Sequence, residues 1–283
     1  MLGNLLTLFA VEPVIHITPL EIGNINGFII TNSMLYGFIT SIFILFLFII
    51  VAKKMTIKPK GGITQLVEAG TDFIYNLIKN SLGSDQKAMQ YAPYFAAIFF
   101  FITLNNWLGL LPGIGEALHV TSEAGETPLF RPFTADLNGT LAAATVTWIM
   151  VQYFAIKESG PSKHLRHYFN GSLKSPMTLL LGIFEMFSDL TRILSLALRL
   201  FLNVAIGEII IAVFSALGGI IAPITALPFT ILELLVGALQ AYIFVMLSVM
   251  YLAVAIKHDE HEEHGDQLTL DEVVESEVIS ANG

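Results

Sequence analysis

PMTLLLGIFEMFSDLTRILSLALRLFLNVAIGEIIIAVFSAL, residues 176–217, decides the fold of this chain. A helix of these 42 residues would extend about 63 Å at 1.5 Å per residue. The hydrocarbon core of a bilayer is only about 30 Å thick. A second apolar run, residues 223–256, is also longer than an upright crossing needs, and three shorter runs at 27–51, 91–111 and 137–156 are each long enough to cross once. The expected fold is therefore an all-α integral membrane protein with about five membrane-embedded helices. The last two are long and strongly tilted, or broken where Gly218, Gly219, Pro223 and Pro228 interrupt the pattern.

Composition agrees with this. Of 283 residues, 54% are hydrophobic and 13% charged, with a mean hydropathy of +0.71, more apolar surface than a water-soluble domain buries. The net charge of −9 belongs to one place: nine acids and no Lys or Arg follow Lys257. The chain thus reads as an external N-terminal segment at 1–26, a membrane domain at 27–257 and an acidic tail at 258–283, expected to be unstructured and cytoplasmic. With no cysteine, disulfides, thiolate metal sites and a Cys nucleophile are all excluded. The start of the chain lacks the positive n-region of a secretory signal and reads as mature sequence.

Lys53, Lys54, Lys58 and Lys60 follow the first run, and Lys157, Lys163, Arg166 and Lys174 follow the third. The excess of positive charge puts these loops inside, and hence the N-terminus and the acidic 112–136 loop outside. Between the first two runs, Ile63, Leu66, Val67, Phe73, Ile74, Leu77 and Ile78 recur at helical spacing. That pattern predicts an amphipathic helix on the inner membrane surface, or one packed on the protein.

Charge inside a membrane is costly, about 2.5–3.5 kcal/mol for a central Arg or Asp, and so points to function when it occurs. Glu185, Arg192 and Arg199 are spaced by seven, and Ser188, Asp189, Ser195 and Asn203 share their stripe, giving one polar helix face. Arg199 is expected to be deeply buried, facing protein or water. Glu208 lies half a turn out of phase with Arg199, so the two cannot pair within one straight helix. Glu233 and Gln240 on the last helix are also seven apart and aligned. By the inferred topology, Glu185, Asp189 and Arg192 approach Arg199 from the inside, and Glu208 and Glu233 from the outside. Static ion-pair glue between helices is the bland alternative. Asp136 and Asn138 at the mouth of the third run either line an outer pathway or cap a helix. His258, His261 and His264 either sit in a solvated tail or hold a divalent cation loosely; no metal or other cofactor is expected.

SLALRLFLNVAIGE at 195–208 and LQAYIFVMLSVMYL at 239–252 resemble subunit a of the rotary F-type ATP synthases. GGITQLVEAGTDFI, NNWLGLLPG and FTADLNGTLAAA echo the same family in matching order, and the similarity covers about residues 27–256. The resemblance implies a stator subunit that carries protons to and from the carboxylates of a c-subunit ring through two half-channels. It also implies partnership with peripheral-stalk b subunits and, indirectly, with an F1 sector. Arg199 then matches the family's essential arginine, Asn203 its following asparagine and Gln240 the supporting glutamine. Glu208 and Glu233 match two outer half-channel positions, where the family commonly has one Glu and one His. Glu185, Asp189, Arg192, Ser195, Asp136 and Asn138 are further candidate lining residues. The chain has no phosphate-binding glycine loop, so it is expected to be a non-catalytic subunit, with no nucleic-acid partner, in the inner membrane of a bacterium. The rival classes are a self-contained secondary transporter or channel, whose members often carry inverted repeats not visible here, and a structural anchor.

Overall fold

The computed structural model describes residues 21–25, 28–54, 62–111, 119–122, 125–128, 131–160 and 176–281, with side-chain surroundings given as far as Ile256. The loop residues Lys58, Lys60, Lys163, Arg166, Lys174, Glu116 and Glu123, and the side chains of Glu185 and the tail histidines, lie outside the described set.

The helices are α1 (Asn32–Lys54), α2 (Gly62–Leu82), α3 (Asp85–Gly109), α4 (Leu137–Ser159), α5 (Pro176–Gly218) and α6 (Ala222–Ala281). Two short antiparallel hairpins were not anticipated from the sequence: β1 (Glu21–Ile25) with β2 (Phe28–Thr31), and β3 (His119–Ser122) with β4 (Gly125–Pro128). The first hairpin moves the start of the first membrane helix from residue 27 to Asn32, where the Thr31 hydroxyl accepts the Met34 N–H at 3.3 Å. The last helix continues through the acidic tail, where an unstructured segment was expected.

Among the described residues, four helices have the length and apolarity to cross a membrane: α1, α4, Gly182–Gly218 of α5 and Ala222–Ile256 of α6. The last two measure about 55 Å and 52 Å, so neither fits a bilayer upright. Phe38, Leu45, Phe46 and Leu217 are each more than 60% exposed, as lipid contact requires and water would penalise. The expected second crossing, α3, is the exception. Pro93, Asn105, Asn106 and Trp107 dilute its hydropathy, and both asparagines are buried within protein.

The chain divides into two compact units, Met1–Ala144 with Leu194–Met246, and Thr145–Ile193 with Leu247–Gly283. In the first unit, α2 packs along α3, with Val67 against Phe100 and Val51 of α1, and with Gly70 making room for the Phe100 ring. Val67, Ile74 and Ile78 are buried while Ile63, Leu66 and Phe73 stay exposed, so α2 packs on protein and also keeps an apolar edge outward. The turn into α3 uses Gly83 at φ 69°, a conformation natural to glycine, and Ser84, whose hydroxyl accepts the Lys87 N–H at 3.4 Å. Across this turn Lys79 reaches Asp85 at 2.8 Å, and the Tyr75 hydroxyl donates to the same carboxylate at 2.9 Å. The bonds from Lys79 and then Tyr75 hold the Asp85 carboxyl below its usual range, while bonding to Asp85 raises both Lys79 and Tyr75.

The break between α5 and α6 falls at the 3-10 turn Gly219–Ile221, and Pro228 is absorbed within α6. Gly219 sits at φ 51°, the Thr225 hydroxyl donates to Phe214 O at 2.9 Å, and the Phe214 and Phe229 rings stack at 3.8 Å. This hairpin sets the register of Glu208 against Glu233.

Candidate functional site

The first unit holds Ser195, Arg199, Asn203, Glu208, Glu233, Gln240, Asp136 and Asn138. On α5, Leu196, Ala197, Leu200, Val204 and Gly207 face inward, whereas Leu194, Ser195, Arg199, Leu202 and Ile206 face outward. The 3.6-residue period thus separates the arginine from the core. The expectation of a deeply buried Arg199 is corrected: it lies on the chain's own surface, and among the described residues it makes no ion pair or hydrogen bond. A guanidinium cannot shed its charge, so Arg199 remains a cation on that outward face.

On α6 the period works the other way. Glu233, Gly237, Gln240, Ala241 and Phe244 share the buried face, with Glu233 7% and Gln240 3% exposed. The seven-residue spacing of Glu233 and Gln240 therefore does align them, as read from the sequence. Asn203 Nδ2 donates to Gln240 Oε1 at 3.4 Å, joining two expected site residues. The other half of the Gln240 amide, Nε2, has no hydrogen-bond partner among the described residues. The Glu233 carboxylate lies against the backbone of Gly207, where any Cβ would collide with it. Gly207 precedes Glu208, so Glu233 packs against the turn of α5 that carries Glu208; Glu208 lies within electrostatic range of Glu233, and Arg131 within that of Glu208.

Arg131 was not among the residues singled out from the sequence. It is 8% exposed, and its Nη2 donates to Ala135 O at 3.2 Å. Asp136 is buried at 4% exposure; its carboxylate accepts the Asn138 N–H at 3.0 Å and its carbonyl accepts the Thr140 N–H at 3.0 Å. That is an N-cap of α4, so capping accounts for Asp136, and Asn138 is exposed. Two more residues outside the sequence reading tie the unit together. Asn106 Nδ2 donates to Gly237 O at 3.3 Å while its Oδ1 accepts from the Thr134 hydroxyl at 2.7 Å; Trp107 Nε1 donates to Leu234 O at 2.9 Å. The signal was available, since amides in an apolar run must find partners where water is absent.

In the second unit, Asp189 is 5% exposed and doubly bonded, to Arg192 Nη1 at 3.0 Å and to Gln152 Nε2 at 3.1 Å. The Arg192 guanidinium also lies over the Tyr251 ring, 5.1 Å from its centre. Arg192 and Asp189 thus form a local ion pair, with Gln152 and Tyr251 as partners the spacing argument did not supply.

Against this geometry, the family model of the ATP synthase A chain matches residues 34–253. The ATP synthase subunit a of Sulfurihydrogenibium sp. (strain YO3AOP1) is 34% identical over 215 residues, which cover 76% of this chain and 92% of that protein. The subunit a of Gloeobacter violaceus is 31% identical, over 92% of this chain and 97% of the relative, and that of Chlorobium phaeobacteroides is 31% identical, over 83% and 67%.

Proposed function

The chain belongs to the ATP synthase A chain family, membrane-sector components of F-type ATP synthases, and from that premise we propose that it is the stator side of a proton pathway. Its Arg199 face turns toward a ring of c subunits, each with a carboxylate at membrane depth. The observation that carries this reading is an unpaired cation on an apolar, outward face of α5.

A bare carboxylate facing lipid is costly, so a ring carboxylate there is held neutral by its proton. Beside Arg199 the ionised form gains an opposite charge, and the proton leaves by an inner path. Arg199 itself cannot take the proton up, so it seals the two paths from each other. Reloading comes from the outer side, through Glu208 and Glu233. In this proposal Asn203, bonded to Gln240, and Gln240 itself keep Arg199 hydrogen-bonded or hydrated and so prevent a dry, immobile bridge to the ring. Each proton moved down 100 mV releases about 2.3 kcal/mol, which the ring collects as rotation. By this reading Glu185, Asp189 and Arg192 serve the inner path, ATP chemistry belongs to F1, and b subunits hold the stator. The positive loops support an orientation with the N-terminus outside and the tail in the cytoplasm, in the inner membrane of a bacterium.

The absence of cysteine in the chain makes a direct test simple. Leu202→Cys, on the Arg199 face, should cross-link oxidatively in membranes to a cysteine placed on the outer helix of the ring subunit. Val204→Cys, on the buried face, should not. Cross-linking at residue 204 with none at 202 would overturn the orientation.

A further inference from the structure

The two outer carboxylates would need a fixed separation to pass a proton, and most of what surrounds them is apolar. Lipid gives helices no hydrophobic reason to adopt one register over another, so polar contacts and close packing decide it. One such set lies directly on the turn that carries Glu233. Trp107 and Asn106, consecutive on α3, donate to the carbonyls of Leu234 and Gly237, the residue after Glu233 and the residue one turn on. Gly237 permits the approach, since a Cβ there would come within 3.1 Å of the Asn106 Cβ. The other end of the Asn106 amide is held by Thr134, 1% exposed, from the 3-10 turn Phe133–Ala135 that precedes α4. That turn is itself seated by Phe133 against Gly37 of α1 and Gly139 of α4, and by the neighbouring Pro132 against Gly109 of α3.

The neighbouring asparagine shows that this is not the default. Asn105 is fully buried, yet its Nδ2 donates only to Phe101 O of its own helix at 2.9 Å, and its Oδ1 has no partner among the described residues. Asn106 alone of the two spans three elements.

We propose that Asn106 and Thr134 are positioning residues of the outer relay: they lock the Glu233 turn of α6 to α3 and to the segment ahead of α4, and so fix Glu233 against Gly207 and beside Glu208. This rests on the reading of Glu208 and Glu233 as the outer proton path. Among the described residues, the charged groups acting on that path are Glu208 on Glu233 and Arg131 on Glu208; Asp136 is engaged in capping α4, and α3 has no charged residue between 88 and 109.

The test uses intact ATP synthase in inverted membrane vesicles, measuring ATP-driven proton pumping as the pH on the outer face of the protein is varied. Assembly is followed by the amount of the subunit in the membrane. Thr134→Val and Asn106→Leu should each lower pumping per assembled complex by about threefold, the factor matching one interhelical hydrogen bond. Each should also move the midpoint of the outer-pH dependence by about half a unit. The double variant should be no worse than the worse single, because the residues act as one link. Thr134→Ser, which returns the hydroxyl, should restore both rate and profile. An unmoved midpoint in Thr134→Val, or additive losses in the double, would overturn the proposal. If Asn106→Leu does not assemble, Thr134→Val decides alone. Glu208→Gln with Glu233→Gln, measured alongside, separates the two levels: normal pumping there removes the outer path itself, whereas a dead double carboxylate variant beside an unaltered Thr134→Val removes only the lock.

Discussion

Arg192 and Arg199 sit seven residues apart on α5, and the structure treats them differently. Arg192 has Asp189 at 3.0 Å and the face of Tyr251, while its carboxylate partner is also held by Gln152. Arg199 has no bond to any described residue and projects among Leu194, Leu202 and Ile206. Heptad spacing therefore says that two charges share a stripe and does not say what each one does. A cation neutralised within its own unit already has its counter-charge, wherever a proton path runs beside it. A cation with no counter-charge among the described residues is, in the proposal above, the one that meets the ring carboxylate.

Exchange of the two arginines for lysine is the strongest way to separate them. Arg199→Lys should reduce ATP-driven pumping by more than about tenfold, because an ammonium lacks the planar fork and can lose its proton. Arg192→Lys keeps a charge beside Asp189 and should stay within about threefold, the scale of a partly exposed pair. Equal losses would erase the distinction between the two regions. The outer carboxylates sharpen the comparison at the next level. Glu208→Gln or Glu233→Gln alone should retain measurable pumping, and the pair together should fall to background, as expected of two carboxylates that can partly substitute for one another. A single variant as inactive as the pair would show that carboxylate to be indispensable and would end the idea of a redundant relay.

The smallest effect belongs to the exposed α2–α3 turn, a pair with no site to serve. Asp85 is held below its usual value, so its contribution to stability is present above about pH 4 and is lost as pH falls through the lowered value. Lys79 is raised, so its contribution is present below its usual value of about 10.4 and is lost as pH rises through the raised one. Hydrogen exchange at residues 79–88 should be flat across neutrality and increase only toward either extreme. Lys79→Ala should move the acid limb upward, toward an ordinary carboxylate. An unmoved limb in that variant would separate Asp85 from its ion pair.

Much of the fold was legible because two strong regularities dominate the sequence, length of apolar run and helical period. Residues 176–217 announced a helix too long to stand upright, and α5 follows those bounds to within one residue. The alignment of Glu233 with Gln240 was likewise a matter of period alone. The burial of Arg199 was misjudged because membrane depth was taken for enclosure within the chain, and the two differ wherever a partner supplies the wall. For Asp136 the sequence offered both a pathway and a cap, since a carboxylate ahead of a helix satisfies both descriptions, and the structure shows the cap of α4. Asn106, Thr134, Gln152 and Tyr251 were missed because their partners are tens to more than a hundred residues away, beyond anything local spacing encodes.

The central claim is that a permanent cation at position 199 keeps the inner and outer paths apart while the ring turns. It is tested most directly by ATP-driven proton pumping in vesicles carrying Arg199→Ala, with assembly and ATP hydrolysis measured in the same membranes. The account predicts an assembled complex that hydrolyses ATP and builds no proton gradient. A gradient of wild-type size in that variant would contradict it.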